Sequence, residues 1–342
     1  MGQEIHTIII GAGPAGLAAA SRLGKLSHRV LVIEKEAQCG GKLNQWDKLF
    51  PDFEPADEVR QTLMQRIPDN VQIITSAEVN AIAQKEGKWE ITLQNGEKQM
   101  APTLLLTTGF DVFDAIRKEE YGYGIYDNVI TSVELESMIA KGEIRTKEGK
   151  KPQTIAYIQC VGSRDEKVGN HFCSVNCCIC AVKQGIEVKQ LLPEVQQYCF
   201  YMDLRMSGQH YEERYRESQE KYHLNFIRGR VSETSVTPEG KIAVKAEDTL
   251  LSRPLRMQTD LLVLMVGMEP SASTRRFSKE LNIGDPYGYY LSLNRETADN
   301  ATAHQGLYTA GSAKRPMPVP HAIKDGEAAA WEIADYLQNH NR

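Results

Sequence analysis

Five of the seven cysteines in this 342-residue chain, Cys160, Cys173, Cys177, Cys178 and Cys180, fall between positions 160 and 180. Thiolates are soft ligands, suited to iron–sulfur clusters or zinc. The run Cys177-Cys178-Ile179-Cys180 also contains a C-x-x-C, the spacing of a redox dithiol at a helix N-terminus. A strand is expected to close at Cys160 and a helix to open at Cys173. Cys177 would then lie one turn on from Cys173, with Cys178 about 100° further round. On that reading Cys160, Cys173, Cys177 and Cys178 converge beyond the strand end and share one metal. The rival reading makes Cys177 and Cys180 a thiol–disulfide couple and leaves Cys160 and Cys173 incidental. Structural zinc is a third. Cys39 and Cys199 stand apart and read as small packed residues.

The second chemistry-bearing pattern is Gly11-Ala12-Gly13-Pro14-Ala15-Gly16. It follows the β-rich run Ile5–Ile10 and precedes the helix-forming Leu17–Leu23. A second apolar strand, Arg29–Ile33, ends at Glu34, with Lys35 beside it. Strand, glycine turn, helix, strand and acid in this order form the dinucleotide-binding βαβ unit. Gly11 permits the tight turn, Gly13 lets the backbone approach a pyrophosphate, and Gly16 lets helix and strand pack. The helix N-terminus offers free N–H groups to phosphate, and Glu34 can accept from a ribose. Downstream, Gly40-Gly41-Lys42-Leu43 suits a loop lying along a flat ring.

The elements that position these residues follow from periodicity and turn signals. A helix is expected over 57–66, strands at 71–74 and 78–83, and a hairpin around Asn95-Gly96 with arms at 89–93 and 99–106. A helix capped by Thr131 and Glu134 follows. A second βα unit begins at Thr154 and runs into Cys160-Val161-Gly162-Ser163, which is no glycine fingerprint. Leu104–Gly109 and Leu261–Gly267 each run from an apolar strand into a glycine, an internal echo that two related doubly wound domains would produce. The final helix is expected from about 320 to 338.

Composition excludes other classes. With 41% hydrophobic and 25% charged residues the chain reads as an ordinary globular protein. A net charge of −5 offers no basic footprint for nucleic acid. Neither Ile8–Ile10 nor Leu261–Val266 is long enough for a secretion signal or a membrane helix. A cytoplasmic chain without membrane insertion is expected, in which clustered thiols serve metal or redox chemistry.

The fingerprint with Glu34, Gly40-Gly41, Thr108-Gly109 and Tyr308-Thr309-Ala310-Gly311 resembles the FAD core of thioredoxin-reductase-like flavoproteins. Three further stretches, Tyr157–Asp165, Cys173 with Cys177-Cys178, and Phe226–Val231, are similar to the A subunit of heterodisulfide reductase. The resemblance narrows to the short A subunit of heterodisulfide-reductase-like complexes in sulfur-oxidising prokaryotes, because no C-x-x-C-x-x-C-x-x-x-C-P run is present. It implies an α/β fold of two doubly wound Rossmann-like domains. The FAD domain, 1–110 plus 285–342, would be split by an inserted domain at 111–284 that carries the cysteines.

The same resemblance implies the site. Gly11, Gly13, Pro14, Ala15 and Gly16 would serve the pyrophosphate of FAD, and Glu34 with Lys35 the ribose. Gly41, Lys42 and Leu43 would run beside the flavin, Val79 would meet the adenine through its backbone, and Thr108-Gly109 would belong to the same site. Gly311 and Ser312 would meet the ribityl chain. The helix near His321-Ala322 would aim its positive end at the flavin. Ser312 stands where the family usually has Asp. Lys42 is the candidate catalytic residue, a cation that would stabilise charge on the reduced ring. Cys160, Cys173, Cys177 and Cys178 would hold an atypical [4Fe–4S] cluster. Implied partners are the other subunits of the complex, a second copy in a homodimer, and NAD as an external electron partner.

Overall fold

Short runs of Ile, Leu and Val without polar alternation need cover on both faces. The structure supplies it twice. The computed structural model describes residues 4–340. They divide into one unit made of the chain up to Gln45, Pro55–Asp111 and the chain from Glu269, and a second made of Trp46–Glu54 and Val112–Met268.

The first unit is built on a five-stranded parallel sheet. Its order is Leu307–Thr309, Thr103–Leu106, Thr7–Ile10, Val30–Ile33, Val71–Ile74. Ile8 pairs in register with Leu31 on one side and Leu104 on the other. The helix Pro14–Lys25 follows the first strand, and the long helix Val319–His340 crosses it closely. A Cβ added at Gly326 would lie 2.1 Å from the carbonyl oxygen of Ala15, so only glycine allows that approach. An antiparallel sheet of Val79–Lys85, Lys88–Leu93 and Lys98–Ala101 completes the unit. The hairpin turns at Gly96, with φ +84. Its expected second arm, 99–106, divides at Pro102, which has no N–H for the ladder. Thr103–Leu106 thereby joins the parallel sheet.

The second unit repeats the plan. Val129–Thr131, Leu261–Val266, Thr154–Val161, Gln196–Tyr201 and Leu224–Arg228 form a parallel sheet in that order. A three-stranded antiparallel sheet, Val231–Val236, Ile242–Asp248 and Arg253–Thr259, accompanies it. The helix Ser132–Ala140 opens on the anticipated capping box: Thr131 accepts from the Glu134 N–H and Glu134 accepts from the Thr131 N–H. The α/β architecture of two Rossmann-like domains, read from the sequence, holds.

The units divide at 268/269, where the sequence suggested 284/285. The helix Ala272–Glu280 packs Phe277 into the first unit's core beside Leu104, Leu106 and Leu307, which draws the division upstream. A second difference was not anticipated. The strap Trp46–Glu54 leaves the first unit's sequence neighbourhood and packs in the second. Phe50 enters a cluster with Cys178, Ile179, Val182 and Met206, and its ring meets Tyr211 edge-on at 4.8 Å. The strap's backbone is held by side chains. Lys183 donates to the Lys48 carbonyl (3.0 Å), Arg214 to that of Pro51 (2.9 Å), and Glu136 accepts from the Asp47 N–H (3.1 Å).

Candidate redox site

In the first unit the strand Thr7–Ile10 ends at Gly11, whose φ is +105. A side chain there would meet the Thr107 carbonyl oxygen at 2.5 Å, and one at Gly16 would meet the Gly11 carbonyl oxygen at 2.0 Å. Gly13 has nothing within 4 Å of an added Cβ. Two glycines are therefore fixed by packing, while the third leaves its backbone open, as a phosphate cradle requires. Pro14 stands in the helix's first turn, where its missing N–H costs nothing. Buried Glu34 is aimed by two backbone donors. Oε2 accepts from the Ala12 N–H (2.7 Å) and Oε1 from the Glu36 N–H (2.9 Å). Each oxygen keeps a lone pair for a hydroxyl. Lys35 is exposed and pairs loosely with Glu36.

The Gly40–Leu43 loop lies on this fingerprint. Gly40 N–H donates to the Ala12 carbonyl (2.7 Å), and a Cβ on Gly41 would sit 3.2 Å from the Gly13 Cα. Leu43 is buried, and Lys42 Nζ stands 6.0 Å from the centre of the Phe110 ring. Gly311, with φ +74, comes from the opposite end of the sequence, and a Cβ there would touch that of Ala15 at 2.7 Å. Gly11, Gly41 and Gly311 thus gather at one end of the parallel sheet. Thr108 bonds through its hydroxyl to Thr274 (2.7 Å) and Tyr290 (2.8 Å). Next to it Gly109 has φ +68 and open space around it. Val79 is buried at the sheet margin, with its carbonyl taken by Arg276. The last helix begins at Val319, leaving His321 exposed and Ala322 buried in its first turn. These residues fit a bound dinucleotide.

The thiols lie in the second unit. The strand Thr154–Val161 shifts register between Ile158 and Val161. Cys160 sits in that irregularity with φ +60, unusual for a residue with a Cβ. One expectation is corrected. The cysteine helix runs Cys177–Leu191, so Cys173 lies outside it, in irregular chain. Cys177 is therefore not one helical turn from Cys173. The helix starts late because Ser174 and Val175 are committed elsewhere. Ser174 Oγ bonds Ser163 Oγ and accepts from the Met268 N–H (2.8 Å), while Val175 has φ +48 and donates its N–H to the Cys173 sulfur.

Cys160 and Cys177 face each other. A hydrogen bond from Cys177, helped by the Arg164 guanidinium, lowers the pKa of Cys160 despite its burial. The same bond and burial push Cys177 well up. Burial pushes Cys178 up to about 11, opposed by a backbone hydrogen bond from Arg205 and reinforced by the neighbouring Cys160 and Cys173. Its sulfur lies 3.8 Å from the Asp203 carbonyl. Arg164 is anchored to Asp203 at 2.7 Å. Cys180 is pushed to about 12 by burial, opposed by Lys183 and reinforced by Glu136. Cys39 is raised by burial, and Cys199 is pushed to about 12.

The donor chemistry of Cys160, Cys173, Cys177 and Cys178 fits a thiolate-ligated cluster. Among the described residues no three Cys, His, Asp or Glu side chains are close enough to close a metal site as they stand. The turn where a second dinucleotide would lie is filled. A Cβ at Gly162 would fall 2.1 Å from the Phe113 ring, and Asn170 donates to the Gly162 carbonyl (2.9 Å). Sequence reasoning missed Arg164, Asp203 and the strap, for lone charges and a short apolar run carry no local pattern.

No helix among the described residues is long and apolar enough to cross a membrane. The fold is that of thioredoxin reductases. The Lactococcus lactis enzyme superposes with a TM-score of 0.68 at 17% identity, over 98% of this chain and 100% of that one. The T. acidophilum enzyme gives 0.66 at 20% identity, over 97% and 98%. In sequence the chain is similar to the iron-sulfur A subunit of the CoB–CoM heterodisulfide reductase of Methanocaldococcus jannaschii. The two are 32% identical over 96% of this chain and 63% of the relative. It is also similar to the A subunit of the H2/formate:CoB-CoM heterodisulfide,ferredoxin reductase of Methanococcus maripaludis, at 31% over 96% and 63%. The chain therefore spans less than two thirds of the length of these relatives, and its likeness to the heterodisulfide reductase A subunit, expected from the cysteine-bearing stretches, holds. The model of the pyridine nucleotide-disulphide oxidoreductases matches residues 5–326, nearly the whole chain, and the chain belongs to that family.

Proposed function

We propose that this protein is an FAD-dependent oxidoreductase that works as the iron–sulfur flavoprotein component of a heterodisulfide-reductase-like complex, in the oxidation of thiol or disulfide sulfur compounds. The supplied chemistry is that of the cofactors: FAD exchanges electron pairs and a [4Fe–4S] cluster exchanges single electrons. The chain's own residues hold and tune them. Gly11, Gly13 and Gly16 admit the pyrophosphate, Glu34 orients the ribose, and Gly41, Lys42 and Leu43 line the ring. Cys160, Cys173, Cys177 and Cys178 supply thiolates, and Arg164 favours the ionised form of Cys160. Other subunits of the complex, a second copy of this chain, and NAD complete the partners. NAD would act from outside, since the second unit's own turn is filled.

The observation that carries the reading is the pairing of Cys160 with Cys177 beside Arg164. It favours a site built on Cys160 over the dithiol couple of Cys177 with Cys180, whose buried thiol is pushed to about 12. The test is an iron and acid-labile sulfide assay with a visible spectrum on anaerobically purified protein. Cys178→Ala should lose the iron and keep the flavin. Cys180→Ser should keep both. Wild-type protein with flavin and no iron, or full iron in the Cys178 variant, would sink the cluster reading.

A further inference from the structure

Position 312 holds Ser where the resemblance leads one to expect a carboxylate beside the ribityl chain. The structure places a carboxylate on the other side of the same turn. Asp325, on the helix Val319–His340, accepts from the Gly311 N–H through Oδ2 at 2.7 Å. Its Oδ1 accepts from Lys314 at 2.9 Å and from the Asn300 amide at 3.2 Å. Lys314 has 0% side-chain exposure and also meets Asp299 at 2.9 Å. Asp299 in turn takes both terminal nitrogens of Arg315 and the Ser292 hydroxyl. Asn300 closes the ring by donating to the Thr309 carbonyl at 3.0 Å.

A fully desolvated lysine is costly unless its charge is met on more than one side. Here two carboxylates meet it, and one of them turns its second oxygen to a backbone N–H. That N–H belongs to Gly311, whose positive φ and contact with Ala15 put it on the dinucleotide fingerprint. The hydrogen bond to a charged acceptor is of the stronger kind. It fixes the direction of the Gly311–Ser312 peptide and so the face that the turn presents.

We propose that Asp325 is the positioning residue for the Gly311–Ser312 turn, held in place by Lys314 and Asn300, and that it acts on FAD through that turn without touching it. Asp299, itself held by Arg315, serves to keep Lys314 in place. The inference rests on the reading of the first unit as the FAD site.

The experiment is FAD titration of flavin-stripped protein, followed by flavin fluorescence, alongside thermal melting of the same flavin-free samples. Asp325→Ala should weaken FAD binding at least tenfold. Asp299→Asn removes the other carboxylate on Lys314, leaves Asp325 on the Gly311 N–H, and should bind within about threefold of wild type. Each variant removes one of the two carboxylates that meet Lys314, so both should lower the flavin-free melting temperature similarly. Affinity that falls in step with melting temperature in both variants would make the role structural and overturn the proposal. So would an Ala variant that binds like wild type. If the Ala variant does not fold, a folded Asn variant with tenfold weaker binding overturns it equally. Wild-type protein that takes up no FAD would instead sink the FAD reading.

Discussion

A single sulfur illustrates how far residue type and spacing reach. Cys160 was legible as a strand-ending thiol in a converging set of four, but its direct pairing with Cys177 was not. Spacing placed Cys177 beside Cys173, whereas the structure sets it against Cys160, because φ +60 at Cys160 and the late helix start are backbone decisions no cysteine pattern encodes. Lys42 was proposed from its glycine neighbours together with the upstream fingerprint, and its role can be read electrochemically. Lys42→Ala should lower the flavin midpoint potential, because a cation beside the ring favours the more negative reduced form; an unchanged potential removes Lys42 from the mechanism. Asp299 makes a pH prediction. Burial raises its pKa, but hydrogen bonds from Arg315 and Lys314 outweigh this and hold it well below the ordinary carboxylate range. A depressed carboxylate contributes stability above its unfolded pKa of about 3.9, and this is lost as pH falls from there toward the folded value. Melting curves should show wild type losing more stability than Asp299→Asn between pH 5 and pH 3.

At the scale of elements, the strand–turn–helix of the fingerprint was readable because each glycine answers a separate steric demand. The structure separates those demands, and mutation should too. Gly16→Ala puts a Cβ 2.0 Å from the Gly11 carbonyl oxygen and should cripple folding of the first unit. Gly13→Ala has open space and should fold normally, yet lose FAD affinity, because the methyl group occupies ground the pyrophosphate needs. Circular dichroism with FAD titration of the two variants checks both halves; a Gly16 variant that folds like wild type, or a Gly13 variant with unchanged affinity, contradicts the assignment. The hairpin at Asn95-Gly96 and the Thr131 capping box were equally legible, being written in two to four adjacent residues. The strap Trp46–Glu54 was not, since nothing local tells a chain which of two cores it will join.

For the whole molecule, the echo of Leu104–Gly109 in Leu261–Gly267 correctly announced two sheets of one plan, because buried parallel strands have an unmistakable composition. The strap's destination depends on buried charge. Lys183 is nearly inaccessible and faces Glu136 and Glu187. Lys183→Met would take the buried cation from both carboxylates, leaving Glu187 only its longer contact with Lys48, and would remove the donor to the Lys48 carbonyl. A loss of roughly 3–5 kcal/mol is expected from breaking such a buried pair. Denaturant unfolding measures it, and hydrogen exchange should quicken along 46–54; a variant as stable as wild type would refute the role. The chain passes between the two units at 45/46, 54/55, 111/112 and 268/269, so neither unit is a continuous stretch of gene. The sheet that begins at Thr7 receives its edge strand only at Leu307. On the ribosome the second unit has all its residues well before the first can close. Thr7–Ile10 and Val30–Ile33 have both their neighbours once Leu106 is made, but Thr103–Leu106 waits for its outer partner until Leu307, so a nascent chain stalled in between presents that strand as an open apolar edge.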